Sequence, residues 1–214
     1  CNLRISWIHL LKLTLFRRSL GFSKDIITWS VNSDSLTFSF LIWILFFLLT
    51  NCSGYTNNFE NTINNIIDVG GLQVVIICGK NNQLKMRLEK NFEGNKDIKI
   101  IGYTDDMREW MQTSDVLITK AGGVTISEAL ASAVPLILLN PVPGQERENA
   151  KYFERNGLAK IANTESEIIE HLTYFLNEEN LRLVRNKMNT CYISHSTENV
   201  CKAILSIINE RTNK

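Results

Sequence analysis

The stretch Asp115–Ala159, DVLITKAGGVTISEALASAVPLILLNPVPGQERENAKYFERNGLA, decides the fold. It reads as a short apolar strand, Val116–Thr119, that stops at the pair Gly122 and Gly123. A helix over Thr125–Ala133 follows with one glutamate, and a second apolar strand, Leu136–Leu139, runs into a Pro-rich loop. That order places a helix N-terminus, a carboxylate and several backbone amides around one crevice.

Working outward, the same alternation continues on both sides. Upstream, a helix around Phe59–Val69 presents Phe59, Ile63, Ile66 and Ile67 at spacings of three and four. A break at Gly70 and Gly71 precedes LQVVIIC (Leu72–Cys78), a run apolar enough to be a strand buried on both faces. A helix over Leu84–Phe92, a strand over Ile98–Ile101 and a helix over Thr104–Thr113, with Thr104 and Asp105 as candidate caps, lead back to Val116. Downstream come a helix over Glu146–Asn156, a strand over Lys160–Ala162, a helix over Ser166–Asn177, and closing helices over Glu179–Met188 and Glu198–Glu210. Strands and helices that alternate with short connections predict an α/β domain built on a doubly wound parallel sheet.

The chain changes character near position 55, so two regions are expected: an atypical segment over 1–54 and the α/β domain over 55–214. Before the change acids are scarce (Asp25 and Asp34) and aromatics dense, and Leu36–Leu49 form the run LTFSFLIWILFFLL. That run falls short of the roughly 20 residues a helix needs to cross a bilayer. Three readings stand for it: a buried strand or core helix, a membrane-inserted segment, or sequence not native to the domain. A secretory signal fits poorly, because the run is not N-terminal and no A-x-A pattern follows. The first residue is Cys rather than Met, so the sequence is expected not to begin where a complete gene product would.

Over 214 residues the net charge is +1, with Lys and Arg spread among the acids, so no stripe tracks a nucleic-acid backbone and no nucleic-acid partner is expected. The 5 cysteines are odd in number and form no C-x-x-C pair. Neither a disulfide framework nor a zinc site is suggested, and a reducing cytosol is the default. His9, His171 and His195 have neither metal-type nor triad spacing, and Cys78 reads as core rather than as a reactive thiol.

Three elements carry chemistry. At Lys120–Glu128, the glycines let amides approach a ligand with no Cβ in the way, and the following helix aims unpaired N–H groups at that point, where a diphosphate is the natural occupant. Thr125 and Ser127 either cap the helix or donate to phosphate oxygens. Glu128 either complements the helix dipole or accepts from two vicinal ribose hydroxyls. In Asn140–Asn149 (NPVPGQEREN), Pro141 and Pro143 stiffen a loop that delivers Gln145 and Glu146 to one place, suited to sugar hydroxyls or, more simply, to a helix cap. The turn Ile101–Met107 (IGYTDDM) offers backbone groups around Gly102, Tyr103 and Thr104 to a base edge, though an ordinary βα loop looks alike.

Together GYTDDM (102–107), DVLITKAGG with TISEA (115–129) and P-PGQE-EN (141–149) resemble the C-terminal donor-binding domain of family 28 glycosyltransferases, two-domain GT-B enzymes with Rossmann-like halves. The resemblance covers about Asn58 to Asn209 and looks closest to the processive diacylglycerol glucosyltransferases and monogalactosyldiacylglycerol synthases. It implies a hexosyltransferase domain that uses a UDP-hexose as substrate, a lipid acceptor such as diacylglycerol, no metal or other cofactor, and a cytoplasmic place at the inner face of the membrane with peripheral contact. By the same resemblance Gly122, Gly123 and Thr125 sit at the diphosphate, Glu128 at the ribose, Gln145 and Glu146 at the hexose, and Gly102, Tyr103 and Thr104 at the uracil. It assigns no catalytic residue to this sequence. Family members carry an N-terminal domain that binds the acceptor and supplies the general base; no counterpart is legible in residues 1–54, so the sequence is expected to be catalytically incomplete. Their opening strand and Gly-rich loop correspond to FFLLTNCSG (46–54), which has one glycine, and the strand is expected within the apolar run. The alternatives are the N-acetylglucosaminyltransferase of cell-wall lipid intermediates, a UDP-N-acetylglucosamine epimerase of similar fold, and a non-catalytic UDP-sugar-binding module.

Overall fold

The computed structural model of the chain describes residues 43–48, as backbone, and residues 59–212. Readings that fall on other positions, His9, Cys1, Cys52 and the start of the apolar run among them, lie outside the described residues. Six strands form one sheet there: β1 (Trp43–Leu48), β2 (Leu72–Ile77), β3 (Ile98–Ile101), β4 (Val116–Thr119), β5 (Leu136–Leu139) and β6 (Ala159–Ala162). They stand in the order β3-β2-β1-β4-β5-β6, and every neighbouring pair is parallel. The doubly wound α/β fold follows.

Why the chain alternates is visible in its burial. In β4 and β5 all four residues are buried, which suits a sheet covered on both faces, and Leu117, Ile118, Leu136, Ile137 and Leu138 are fully enclosed. Helix α1 (Phe59–Asp68) turns Phe59, Thr62, Ile63 and Ile66 inward, the spacing expected of an amphipathic helix. Each such side chain contributes about 1.5–3 kcal/mol through burial. The remaining helices are α2 (Asn82–Asn91), α3 (Met107–Thr113), α4 (Gly123–Ala131), α5 (Gln145–Arg155), α6 (Glu165–Leu176), α7 (Glu178–Cys191) and α8 (Ser196–Thr212). Helix α6 opens with a full capping box: the Thr164 hydroxyl accepts from Glu167 N–H while the Glu167 carboxylate accepts from Thr164 N–H. The backbone N–H of Asn163, which also donates to this carboxylate, and then that of Thr164 hold the Glu167 carboxyl below its usual pKa.

Two ties fasten helices across the domain. The Thr62 hydroxyl donates to Glu165 Oε1 at 2.6 Å and joins α1 to α6, while Arg185 of α7 donates to Asp115 Oδ1 at 3.0 Å and to the Ser114 carbonyl at 3.1 Å below β4. Helix α8 differs from the rest, because its residues through Glu210 are exposed, Val200, Ile204, Ile207 and Ile208 included.

Several element starts differ from the sequence reading by one to three residues, and two of them bear on the site. Helix α3 begins at Met107, not Thr104, because the Thr104 hydroxyl accepts from Asp106 N–H and closes a turn there; Asp106 occupies the cap position without a side-chain cap bond. Helix α4 begins at Gly123, two residues before Thr125, with Gly122 at its cap position. The apolar run supplies β1 from its C-terminal part, in agreement with the strand reading. The sheet therefore reaches back into the segment 1–54 that composition sets apart.

Candidate functional site

The strand order reverses between β1 and β4. From β1 the chain steps outward to β2 and β3, then returns to β4 on the other side and steps outward to β5 and β6. In open α/β sheets such a reversal, with its right-handed parallel crossovers, is where a crevice outside the carboxyl ends of the strands is expected. Lys120–Gly122 and the start of α4 stand at that point, directly after Thr119.

At the turn, Gly122 has φ −67° and ψ 132°, an extended conformation open to any residue, and a Cβ placed on it would meet no atom of the described residues within 4 Å. Neither backbone strain nor a clash among the described residues accounts for a glycine here. Its carbonyl accepts from Ile126 N–H at 3.0 Å, the first bond of the helix. The N–H groups of Gly123, Val124 and Thr125 therefore lack intrahelical partners at the positive end of the dipole. Thr125 is half-buried inside the first turn rather than capping it. Ser127, likewise not a cap, donates from Oγ to the Gly123 carbonyl at 2.8 Å. Glu128 is exposed and is the sixth residue of α4, whose first turn holds no acid, so the dipole-complement reading of Glu128 does not hold.

The next loop leaves β5 beside the first, since β4 and β5 are direct neighbours with Thr119 paired to Leu138. Asn140 sits at φ 36° and Gly144 at φ 106°, ψ −141°, so the path through Pro141 and Pro143 bends sharply at both ends. The Glu146 carboxylate accepts from Val142 N–H at 3.4 Å and Arg147 N–H donates to the Val142 carbonyl at 3.2 Å, which pins the loop to the start of α5. Gln145 is exposed as the first residue of that helix and Glu146 is half-buried.

The two segments are joined by a side chain that residue type alone did not single out. Asn149 Nδ2 donates to the Ala121 carbonyl at 3.0 Å, and a Cβ on Gly123 would lie 3.8 Å from the same nitrogen. Asn149 lies four residues after Gln145, on one helical face with it, and that spacing was the available signal.

The third element stands three strands from β4. Gly102 follows β3, Tyr103 is 63% exposed, and the neighbouring loop after β2 sets Lys80 Nζ 5.6 Å from the centre of the Tyr103 ring. The Tyr103 phenol donates a hydrogen bond to the Asp105 carboxylate, which pushes the phenol above its ordinary pKa. Thr104 spends its hydroxyl on the local turn.

Other candidates fall elsewhere. Cys78 is buried where β2 ends, and desolvation raises its thiol to about 11, which leaves it inert at neutral pH. His171 Nε2 pairs with the Ile161 carbonyl at 3.0 Å, and His195 lies exposed beside Glu198. Among the described residues no group of three His, Cys, Asp or Glu could hold a metal, and no helix is long and apolar enough to cross a membrane. An open hollow of about 360 Å³ between Asn156 and α7, lined by Leu183, Lys187 and Cys191, includes none of these residues.

Comparison with known proteins gives this geometry a context. Residues 57–204 match the glycosyltransferase family 28 C-terminal domain. A processive diacylglycerol beta-glucosyltransferase of Staphylococcus epidermidis is 45% identical over 157 residues, which cover 72% of this chain and 40% of that protein. The same enzyme of Staphylococcus aureus strain Newman is 41% identical over the same shares. The chain thus spans 40% of the length of these relatives. Among solved structures, MurG of Acinetobacter baumannii superposes with a TM-score of 0.63 at 18% identity, over 84% of this chain and 55% of that one. MnaA of S. aureus, solved with UDP, superposes with a TM-score of 0.61 at 18% identity, over 78% and 45%. At that identity the structural likeness is one of fold.

Proposed function

The chain belongs to the glycosyltransferase family 28 C-terminal domain family, and from that premise we propose that it is the donor-binding domain of an enzyme that moves a hexose from UDP to a lipid hydroxyl. The observation that carries the reading is Gly122: a glycine with an ordinary backbone and, among the described residues, no atom where its Cβ would be, at a helix N-terminus on the switch point of the sheet. A diphosphate oxygen fills such a space, accepting from the N–H groups of Gly123, Val124 and Thr125.

Support also comes from the order of the loops. Along the sheet edge the loops after β3, β4 and β5 follow one another, with three strand spacings, roughly 14 Å, between the first two and one spacing, about 5 Å, between the last two. A UDP-hexose has the same sequence of parts: base, ribose, diphosphate, sugar. In this reading Gly102, Tyr103 and Thr104 flank the uracil, Glu128 accepts from the ribose hydroxyls, and Gln145 and Glu146 meet the hexose. The relatives named for diacylglycerol favour glucose as the sugar and a diacylglycerol-type acceptor. With such an acceptor we place the domain at the cytoplasmic membrane face.

In the transfer, the bond from the anomeric carbon to the β-phosphate oxygen breaks and UDP leaves with the electron pair. The acceptor oxygen bonds to the same carbon, and its proton passes to a base. No described residue is assigned as that base. The contribution of this domain is to orient the donor and to stabilise the charge gathering on UDP through the α4 amides and dipole. No metal or other cofactor is proposed. Calorimetric titration of the 214-residue chain with UDP tests the proposal: heat of binding at one site, abolished by prior saturation with UDP-glucose but not by salt alone, supports it, and absence of binding at millimolar UDP overturns it.

A further inference from the structure

We propose that two copies of this chain pair by exchanging helix α8, each seating the apolar stripe of its α8 in the hollow on the outer face of the other's α7. The hollow of about 360 Å³ is lined on α7 by Leu183, Asn186, Lys187, Thr190 and Cys191, spaced i, i+3, i+4, i+7 and i+8, so one face of that helix forms its floor. Its walls are mostly apolar. On α8, Val200, Ile204, Ile207 and Ile208 fall at i, i+4, i+7 and i+8, and each is more than half exposed. Both faces cover eight residue steps, about 12 Å along a helix, so stripe and floor match in length.

Charge selects this pairing over stripe against stripe. Among the described residues Lys187 is the one charged group lining the hollow, and it lies against Gly157, where a Cβ would stand 2.7 Å from Nζ. At about 100° per residue, Glu198 and Glu210 flank the α8 stripe on its two sides, while Lys202 falls behind it. Glu198 lies 3.4 Å from His195 Nδ1 with both side chains exposed, which leaves carboxylate lone pairs for a second partner. Two stripes face to face would gather four glutamates, whereas a stripe over Lys187 brings opposite charges together. The chain's own α8 does not fill its own hollow: it leaves α7 through residues 192–195, with His195 at φ 58°, and stays exposed through Glu210. Because the two surfaces are different patches, reciprocal exchange about a two-fold axis closes the pair and forms two contacts. One helix-on-helix contact is small beside the roughly 1,200 Å² at which standard interfaces begin, so even two give a weak, reversible dimer with a dissociation constant on the order of 50 µM.

Sedimentation equilibrium of the 214-residue chain, from about 1 to about 200 µM, tests this with two variants at exposed positions: Leu183→Lys in the hollow and Ile204→Glu on the stripe. Thermal melts confirm that both fold. The parent is expected to pass from monomer to dimer, and each variant alone to associate about tenfold more weakly or not at all. An equimolar mixture of the two variants should pair again, because one intact stripe meets one intact hollow and the altered contact sets Glu against Lys. A parent that stays monomeric across the range overturns the inference, whether α8 then folds onto its own α7 or serves another protein. Pairing that Ile204→Glu abolishes and Leu183→Lys leaves intact would mean stripe against stripe, and a mixture that fails to recover would exclude exchange; either result overturns it too. None of these outcomes bears on the donor-site reading, which the UDP titration tests separately.

Discussion

Gly122 and Gly144 cap successive helices, α4 and α5, on the same edge of the sheet, yet they are glycines for opposite reasons. Gly144 holds φ 106° and ψ −141°, a region that residues with a Cβ rarely enter, so the path of the chain requires it. Gly122 holds a conformation any residue accepts, and no atom of the described residues stands where its Cβ would be. The first glycine serves the fold. On the reading proposed above the second serves an occupant, and two chemically identical residues are told apart only by their dihedrals and surroundings.

Substitutions can break or sharpen that contrast. The largest expected effect is on binding at the turn: Gly122→Ala lowers UDP affinity about a hundredfold, close to 2.8 kcal/mol. Stability barely moves, because the poorer cap residue and the stiffer unfolded chain offset each other within about 1 kcal/mol. Titration and a thermal melt of one preparation check both halves, and retained affinity would erase the distinction. Gly144→Ala should reverse the pattern, with a stability loss of about 2 kcal/mol and a melting temperature lower by roughly 6 °C. A variant as stable as its parent would show that the loop relaxes.

Glu128→Gln sharpens the picture of the turn: UDP affinity falls about tenfold, about 1.4 kcal/mol, whereas 2′,3′-dideoxy-UDP binds the variant and the parent alike. Thr164→Ala, at the far cap of α6, serves as the control, expected to cost about 1 kcal/mol in denaturant melts with UDP affinity unchanged. The smallest effect is confined to alkali. Burial raises the Cys78 thiol from 9.0 to about 11, so its contribution is complete below pH 9.0 and is lost as pH climbs through about 11. At neutral pH, iodoacetamide followed by peptide mapping should label the exposed Cys191 and Cys201 and spare Cys78; rapid Cys78 labelling would contradict its inertness.

Much of this was legible in the residues. Strands β3, β4 and β5 start and stop where apolar runs meet glycine, proline or charge, so their limits could be read directly. Helix starts were less legible, because Thr104, Asp105 and Thr125 are all favourable cap types and residue type does not say which one closes a local turn instead. Thr104 did so, and the cap of α4 fell to a glycine with no side chain to advertise it. The tie from Asn149 was less legible for another reason: the spacing from Gln145 marks its face, but its partner is a backbone carbonyl, which every residue possesses.

The place of β1 bears on how the molecule can be handled. Residues 43–48 stand in the middle of the sheet, bonded on one flank to β2 and on the other to β4, with Leu45 facing Val116, 71 positions later. Clip the polypeptide at position 55 and a two-stranded ribbon faces a three-stranded one across a gap of about 10 Å, wide enough for the missing strand and nothing to bridge it. Any shortened version intended for crystals or screening should therefore retain residues 43–48, since the six-residue stitch between the ribbons is the part that composition alone would tempt one to discard.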